Sequence, residues 1–106
     1  MVTLSPFRAI GDPTRRAILD ILREDGPQRA GELAKRIPSI SRPAVSKHLR
    51  ILRQSTLVAQ QHKGRERWYQ INPAALKEVQ AWVQRYESYW QDNLLNLKEI
   101  VESQID

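Results

Sequence analysis

The sequence predicts a mostly helical fold that contains one β-hairpin, an α+β arrangement within a single domain of 106 residues. Three helix starts are marked by a capping residue, Ser5, Asp12 or Asn72, that is followed directly by proline. Residues 57–71 alternate apolar and polar side chains around a central glycine, which predicts two strands joined by a tight turn. Residues 74–106 contain neither proline nor glycine, which predicts one long helix.

Four helices are predicted before the hairpin. After a short first helix, the second covers residues 13–24 and stops at a Gly-Pro pair, and the third lies within 28–38 and ends at its final proline. The fourth covers 42–53 and is capped by Ser39 or Ser41. Only "PSIS" separates the third helix from the fourth, which suits a helix-turn-helix.

The charge is distributed unevenly along the chain. Residues 1–72 hold 14 basic and 6 acidic side chains, a net charge of +8, whereas residues 73–106 hold 3 basic and 6 acidic side chains, a net charge of −3. A basic body favours a polyanionic partner such as nucleic acid, and the alternative is an arginine-rich surface without a partner.

Several classes of site are excluded or disfavoured by composition. The chain has no cysteine, so disulfides, thiolate metal sites and thiol catalysis are excluded. No apolar stretch reaches the length of a membrane span, so we expect a soluble, cytoplasmic protein without a membrane partner. There is no glycine-rich phosphate loop, and Ser46, Lys47 and His48 are consecutive on one helix, where their side chains do not converge. An enzyme is therefore not predicted.

The fourth helix is predicted to be amphipathic. Val45, Leu49 and Leu52 share one face. The polar side carries Pro43, Ser46, Lys47 and Arg50, while Ser41 and Arg42 lie at the N-terminus, where free backbone N–H groups favour an anion. Because the arginines, Lys47 and Ser46 are donors for base edges and phosphates, we predict that this side contacts the major groove of DNA. The alternative is a solvated helix face.

Other basic residues are candidates for contacts with the DNA backbone. The hairpin tip carries Lys63, Arg65 and Arg67 around its glycine, and these side chains are predicted to reach the minor groove or its phosphates. Arg29, at the start of the third helix, is predicted to contact phosphate. Arg15 and Arg16 begin the second helix. Two roles remain open for them, a phosphate contact and a surface salt bridge.

Four motifs together carry a family resemblance: "AIGDPTRRAILDIL", "AGELAKRI", "SRPAVSKHLRIL" and "GRERWYQINP". Over about residues 7–73 the chain resembles the ArsR-type winged-helix transcriptional repressors. The resemblance implies a winged helix-turn-helix with a three-helix core, a recognition helix at 42–53 and a wing at 57–71. It also implies a homodimer with contacts from the first and last helices, and it assigns base contacts to Arg42, Pro43, Ser46 and Lys47.

The chain departs from that family pattern in two respects. Metal-sensing relatives use cysteines, or His and Asp pairs on the last helix, whereas this chain has no cysteine and no histidine beyond His62. We therefore predict a branch that does not sense metals, with no metal site and no cofactor. Where the family often has glycine before the wing, this chain has Ser55 and Thr56, so either the helix ends differently or the backbone is strained there.

The last helix is predicted to form a dimer. Its apolar residues recur at intervals of three and four, close to a heptad seam, and the helix would be about 48 Å long. A second copy packed about a two-fold axis would cover this stripe, whereas the alternative is a helix folded back on its own core. An aromatic ligand pocket between subunits is a weaker alternative. The predicted interface residues are Leu4, Phe7, Leu76, Val79, Val83, Tyr86, Trp90, Leu94 and Leu97.

The sequence thus predicts an N-terminal dimer helix at 1–11, a winged-helix core at 12–72 and a dimerisation helix at 73–106. The predicted function is that of a homodimeric, sequence-specific transcriptional repressor that occupies an inverted-repeat operator in double-stranded DNA. The alternative is a winged-helix module that binds protein, which is disfavoured because protein interfaces are depleted in lysine.

Overall fold

A computed structural model describes residues 4–105, apart from the side chains of Leu95 and Ile105. The first three residues of the predicted N-terminal helix and the last residue of the chain lie outside the described residues. The predicted class is confirmed, with five helices and one antiparallel hairpin in the described chain. The elements are α1 (Pro6–Ala9), α2 (Pro13–Asp25), α3 (Ala30–Arg36), α4 (Arg42–Gln54), β1 (Val58–Lys63), β2 (Glu66–Ile71) and α5 (Pro73–Ile105).

Side-chain caps determine where the first, second and fourth helices begin. Ser5 caps α1, and Asp12 caps α2, its Oδ1 accepting a hydrogen bond from the Thr14 N–H at 2.8 Å. Ser41, not Ser39, caps α4, its Oγ accepting from the Ala44 N–H at 3.2 Å. Each cap satisfies a backbone donor that the helix itself leaves unpaired.

The core lies in the first of two compact units, which ends at Leu76. The face of α4 predicted to be apolar is buried, with Val45 and Leu52 both at 0% exposure. Burial of one such side chain stabilises the fold by roughly 1.5–3 kcal/mol. The buried cluster consists of Ala9, Ile18, Ile21, Leu22, Leu33, Val45, Leu49, Leu52, Leu57, Val58 and Tyr69. Because α4 is held by this face, its opposite side is left in solvent.

The hairpin pairs β1 with β2 from Val58↔Ile71 to Lys63↔Glu66, so the turn has only two residues. Gly64 is the first of them and has a φ of 64°, a conformation that glycine adopts without strain. This two-stranded unit is the wing that the family resemblance implies.

One backbone pairing of the wing was not predicted. The N–H of Gln28 donates to the carbonyl oxygen of Tyr69 at 2.9 Å, and the N–H of Tyr69 donates to that of Gln28 at 2.8 Å. This bridge ties the segment before α3 to the middle of β2. A single paired residue between two helices has no periodicity, and therefore no sequence signal identifies it.

The junction between α4 and the wing stores backbone strain. Ser55 is buried at 1% exposure and its hydroxyl donates to the carbonyl oxygen of Leu52 at 2.8 Å. Thr56 has a φ of 62°, the left-handed conformation that a β-branched residue adopts at a cost. The second of the two outcomes that the sequence left open here, strain, is the one observed.

The second unit begins at Lys77 and consists of the rest of α5. Many of its large apolar side chains are exposed, with Trp90 at 64% and Leu94 at 63%. Among the side chains that the structure describes, the exposed large apolar residues are Trp82, Val83, Tyr86, Tyr89, Trp90, Leu94, Leu97, Ile100 and Val101. Earlier in α5, Leu76 was predicted to lie in the dimer interface. It is half-buried and packs against the core of the first unit, so part of its surface is covered without a second copy. Among the described residues, no helix combines the length and the apolarity that a membrane span requires.

Candidate nucleic-acid interface

The polar side of α4 is exposed over its whole length. Arg42, Ser46, Lys47 and Arg50 are all exposed, as is Pro43 in the first turn. His48 lies at the edge of this surface and is half-buried. The helix therefore presents long cationic donors on one side while its other side is held by the core.

A groove of about 440 Å³ joins α3, α4 and the wing. It is lined by Arg29, Ala30, Arg42, Ser46, Arg65, Glu66, Arg67 and Tyr69. Residues that lie far apart in the sequence, such as Arg42 in α4 and Arg67 in β2, meet on this one surface. Five of the residues predicted to bind DNA are thus brought together: Arg29, Arg42, Ser46, Arg65 and Arg67.

The other predicted residues lie outside this groove. Lys47 is exposed but does not line it, and Arg50 borders a separate groove shared with the start of β1. Lys63 places its Nζ 5.6 Å from the centre of the Trp68 ring, a cation–π contact. The predicted wing cations are therefore divided between the groove and the aromatic side chain of β2.

The groove is strongly cationic because four arginines face one carboxylate. Three of them, Arg42, Arg65 and Arg67, have no carboxylate within ion-pair distance among the residues that the structure describes. Their charges are not neutralised by the protein, so they remain available to an anion. An arginine in this state can donate two hydrogen bonds to one phosphate or to a guanine edge.

Arg29 is differently placed from the other three. Its Nη2 lies 3.4 Å from Glu32 Oε1 and its Nη1 lies 3.3 Å from Glu66 Oε1. Its guanidinium also lies 5.3 Å from the centre of the Trp68 ring. The sequence suggested a phosphate contact for this residue, and the structure adds two carboxylate partners that would compete with a phosphate for the guanidinium.

The arginines that begin α2 have a role that sequence analysis missed. Arg15 donates from Nε to the carbonyl oxygen of Ala9 at 2.6 Å, and Arg16 donates from Nη1 to that of Ile10 at 2.7 Å. Neither residue forms a salt bridge among the described residues, and both hold the C-terminal end of α1. Neither of the two roles predicted for these arginines, a phosphate contact or a salt bridge, involves the backbone carbonyl oxygens that accept their hydrogen bonds.

Arg15 also connects α2 to α4. Its Nη1 lies 3.3 Å from His48 Nδ1, and because arginine can only donate, this ring nitrogen must be the acceptor. At the same helix start, the backbone N–H of Arg15, together with that of Thr14, lowers the pKa of the Asp12 carboxyl. No group of three His, Cys, Asp or Glu side chains within residues 4–105 is arranged to hold a metal ion.

Comparison with known proteins points to one kind of protein. Residues 10–61 match a family described as a helix-turn-helix domain. The chain is 37% identical over 100 residues to the HTH-type transcriptional regulator Rv2034 of Mycobacterium tuberculosis, covering 94% of this chain and 89% of that protein. It is 40% identical over 77 residues to the transcriptional repressor SdpR of Bacillus subtilis, covering 73% and 83%.

Solved structures show the same similarity. The ArsR-like transcriptional regulator from Rhodococcus sp. RHA1 superposes with a TM-score of 0.66 at 37% identity, covering 89% of this chain and 87% of that one. A possible transcriptional regulator for arsenical resistance superposes with a TM-score of 0.71 at 35% identity, covering 89% and 93%. In sequence and in fold, the similarity extends well beyond the helix-turn-helix itself.

Proposed function

Since this chain belongs to the ArsR family of helix-turn-helix transcriptional regulators and is itself a DNA-binding regulator, we propose that it acts in the cytoplasm as a homodimeric repressor of an inverted-repeat operator. The observation that carries the proposal is the groove in which Arg42 and Ser46 of α4 meet Arg65 and Arg67 of the wing. A repressor of this kind acts by occupying its operator and excluding polymerase.

In the proposed complex, α4 lies in the major groove. Arg42, Pro43, Ser46 and Lys47 contact base edges, with the small Ser46 permitting close approach of the helix. The N-terminus of α4, at Ser41 and Arg42, favours a phosphate through the dipole of a 13-residue helix, although Pro43 has no N–H and the N–H of Ala44 donates to Ser41 Oγ. These roles are supported by the exposure of the polar side of α4 and by its unpaired cations.

The remaining predicted residues contact the DNA backbone in this proposal. Arg65 and Arg67 reach phosphates from the wing, with Lys63 beside them, while Arg29 and Arg50 do so from the two flanks of α4. Such contacts orient the protein on the duplex without distinguishing its sequence. They also make the affinity depend steeply on salt, since each phosphate contact releases a counterion.

A homodimer is supported by the exposed apolar surface of α5. Trp90 and Leu94 are each more than 60% exposed and belong to a row of exposed apolar side chains along the helix. An apolar surface of this extent is larger than the scattered apolar residues that a monomer normally exposes. The same helix from a second copy would cover it, with Leu4 and Phe7 contributing from the N-terminal segment. A two-fold dimer would place two recognition helices about 34–36 Å apart, one turn of the duplex.

The deciding experiment is the selection of bound duplexes from a random pool, followed by affinity measurements at several salt concentrations. The proposal predicts an enriched inverted repeat whose half-sites are centred about one helical turn apart. It also predicts binding to unselected duplex that weakens steeply as salt rises. Enrichment of a single half-site would contradict the dimeric arrangement. An absence of binding to any duplex at low salt would contradict the proposal as a whole and favour a module that binds protein.

A further inference from the structure

One carboxylate lies within the cationic groove, that of Glu66, and both of its oxygens are engaged. Its Oε1 lies 3.3 Å from Arg29 Nη1, while its Oε2 accepts a hydrogen bond from Trp68 Nε1 at 3.2 Å. Glu66 is the first residue of β2, directly after the two-residue turn of the wing. The indole therefore holds the carboxylate in an orientation that directs it toward Arg29.

The position that Glu66 Oε1 occupies is one that a phosphate oxygen would take. A guanidinium binds carboxylate and phosphate oxygens through the same N–H donors and at similar distances. The guanidinium carbon of Arg29 also lies 5.3 Å from the centre of the Trp68 ring, and Glu32 Oε1 lies 3.4 Å from Arg29 Nη2. A DNA phosphate that approaches Arg29 through the groove thus meets a carboxylate already bound there.

The pair is weak enough to be displaced. The side chain of Arg29 is 43% exposed and that of Glu66 is 49% exposed, and ion pairs at this exposure contribute little to stability because water screens them. A phosphate beside an unmoved carboxylate would instead be repelled by it, and more strongly near the protein surface than in bulk water. Binding of DNA must either break the Arg29–Glu66 pair or accept this repulsion.

We propose that Glu66 is an internal counter-ion that competes with DNA phosphate for Arg29 and so lowers the affinity for every duplex, whatever its sequence. This inference rests on the proposed DNA-binding function and adds a residue that opposes it. Because Glu66 acts on a phosphate contact, its effect on a selected operator and on random duplex is the same in proportion.

The test compares Glu66→Gln with Glu24→Gln on a random-sequence duplex over a range of salt concentrations. Both substitutions remove one negative charge, but Glu24 is in α2, pairs with Arg23 and does not line the groove. Glutamine also keeps an acceptor for the Trp68 indole. We expect Glu66→Gln to tighten binding about three- to fivefold at low salt and to steepen the salt slope by about one counterion, against less than about twofold for Glu24→Gln.

A second pair of variants shows whether Arg29 is the group for which Glu66 competes. In an Arg29→Gln background, adding Glu66→Gln should raise the affinity for random-sequence duplex only as much as Glu24→Gln does in the unmodified chain. Equal effects of Glu66→Gln and Glu24→Gln in the unmodified chain, weaker binding by Glu66→Gln, or a full gain that persists without Arg29 would each overturn the inference while leaving DNA binding intact. If the unmodified chain bound no duplex, the proposed function would fail as well.

Discussion

The side-chain amide of Asn72 donates a hydrogen bond of 2.9 Å to the carbonyl oxygen of Thr56, the residue with a φ of 62°. The backbone N–H of Asn72 donates to the carbonyl oxygen of Leu57, also at 2.9 Å. These two bonds join the segments that enter and leave the wing. They hold Thr56 in a conformation that its own side chain disfavours, at the joint that relates the wing to α4.

Replacement of Thr56 by glycine should stabilise the protein. Glycine adopts a positive φ without the steric cost that threonine bears, so we expect Thr56→Gly to raise the free energy of unfolding by about 1 kcal/mol. Chemical denaturation measures the change. Gly26→Ala is the converse control, because Gly26 has a φ of 77° and alanine there should cost about 1–3 kcal/mol. A lower stability of Thr56→Gly would show that relief of strain is smaller than the combined loss of side-chain contacts and gain in unfolded-chain entropy.

The cap of α2 should make stability depend on pH in the acid range. The N–H of Arg15 lowers the pKa of Asp12 below its ordinary value of 3.8. The carboxylate therefore stabilises the fold above pH 3.8, and this contribution is lost as the pH falls through the lowered pKa of the folded state. Asp12→Ala should cost about 1 kcal/mol at neutral pH and progressively less in acid.

Thermal unfolding of both proteins across a pH series measures this difference. The exposed Asp20, in the middle of α2, provides the control substitution Asp20→Ala. If the difference in stability between Asp12→Ala and the unmodified chain stayed constant into strong acid, the charge of Asp12 would not be what stabilises the helix.

The two classes of DNA contact should separate in a comparison of variants. Arg42→Ala and Lys47→Ala should each cost about 1–3 kcal/mol of binding free energy on the selected operator and reduce the preference over random duplex. Arg65→Ala should weaken both duplexes by the same factor, because a phosphate contact carries no sequence information. Equal losses on operator and random DNA for Arg42→Ala and Lys47→Ala would refute their assignment to base edges.

A charge placed on the exposed face of α5 should prevent dimer formation. Leu94 is 63% exposed, so Leu94→Glu is not expected to perturb the fold of a single chain, but it would bury a carboxylate at the proposed interface. Sedimentation of the unmodified chain should show a species of about twice 12.3 kDa, and the variant should sediment as the single chain. Glu87→Gln, a substitution on the same helix that buries no new charge, is the control. A monomer of the unmodified chain at micromolar concentration would contradict the proposal.

The sequence by itself determined the elements and the character of their faces. Ser5 and Asp12 cap their helices, Val45 and Leu52 are buried, and the wing turns at its glycine, because each of these depends on local spacing or on one residue's backbone preference. The exposed polar side of α4 follows from the same periodicity. The similarity of the chain to the ArsR family is also carried by motifs that are each contiguous in the sequence, so it too could be identified without the structure.

Only the tertiary structure decided which side chains meet. Arg29 pairs with Glu66, 37 residues away, and Arg15 turns to the carbonyls of α1 rather than to a carboxylate or to solvent. Nothing in the spacing of those residues indicates either partner, since a long cationic side chain can reach any acceptor that packing brings within range. The cationic groove and the carboxylate within it therefore result from the way the core and the Gln28–Tyr69 bridge set α3, α4 and the wing against one another.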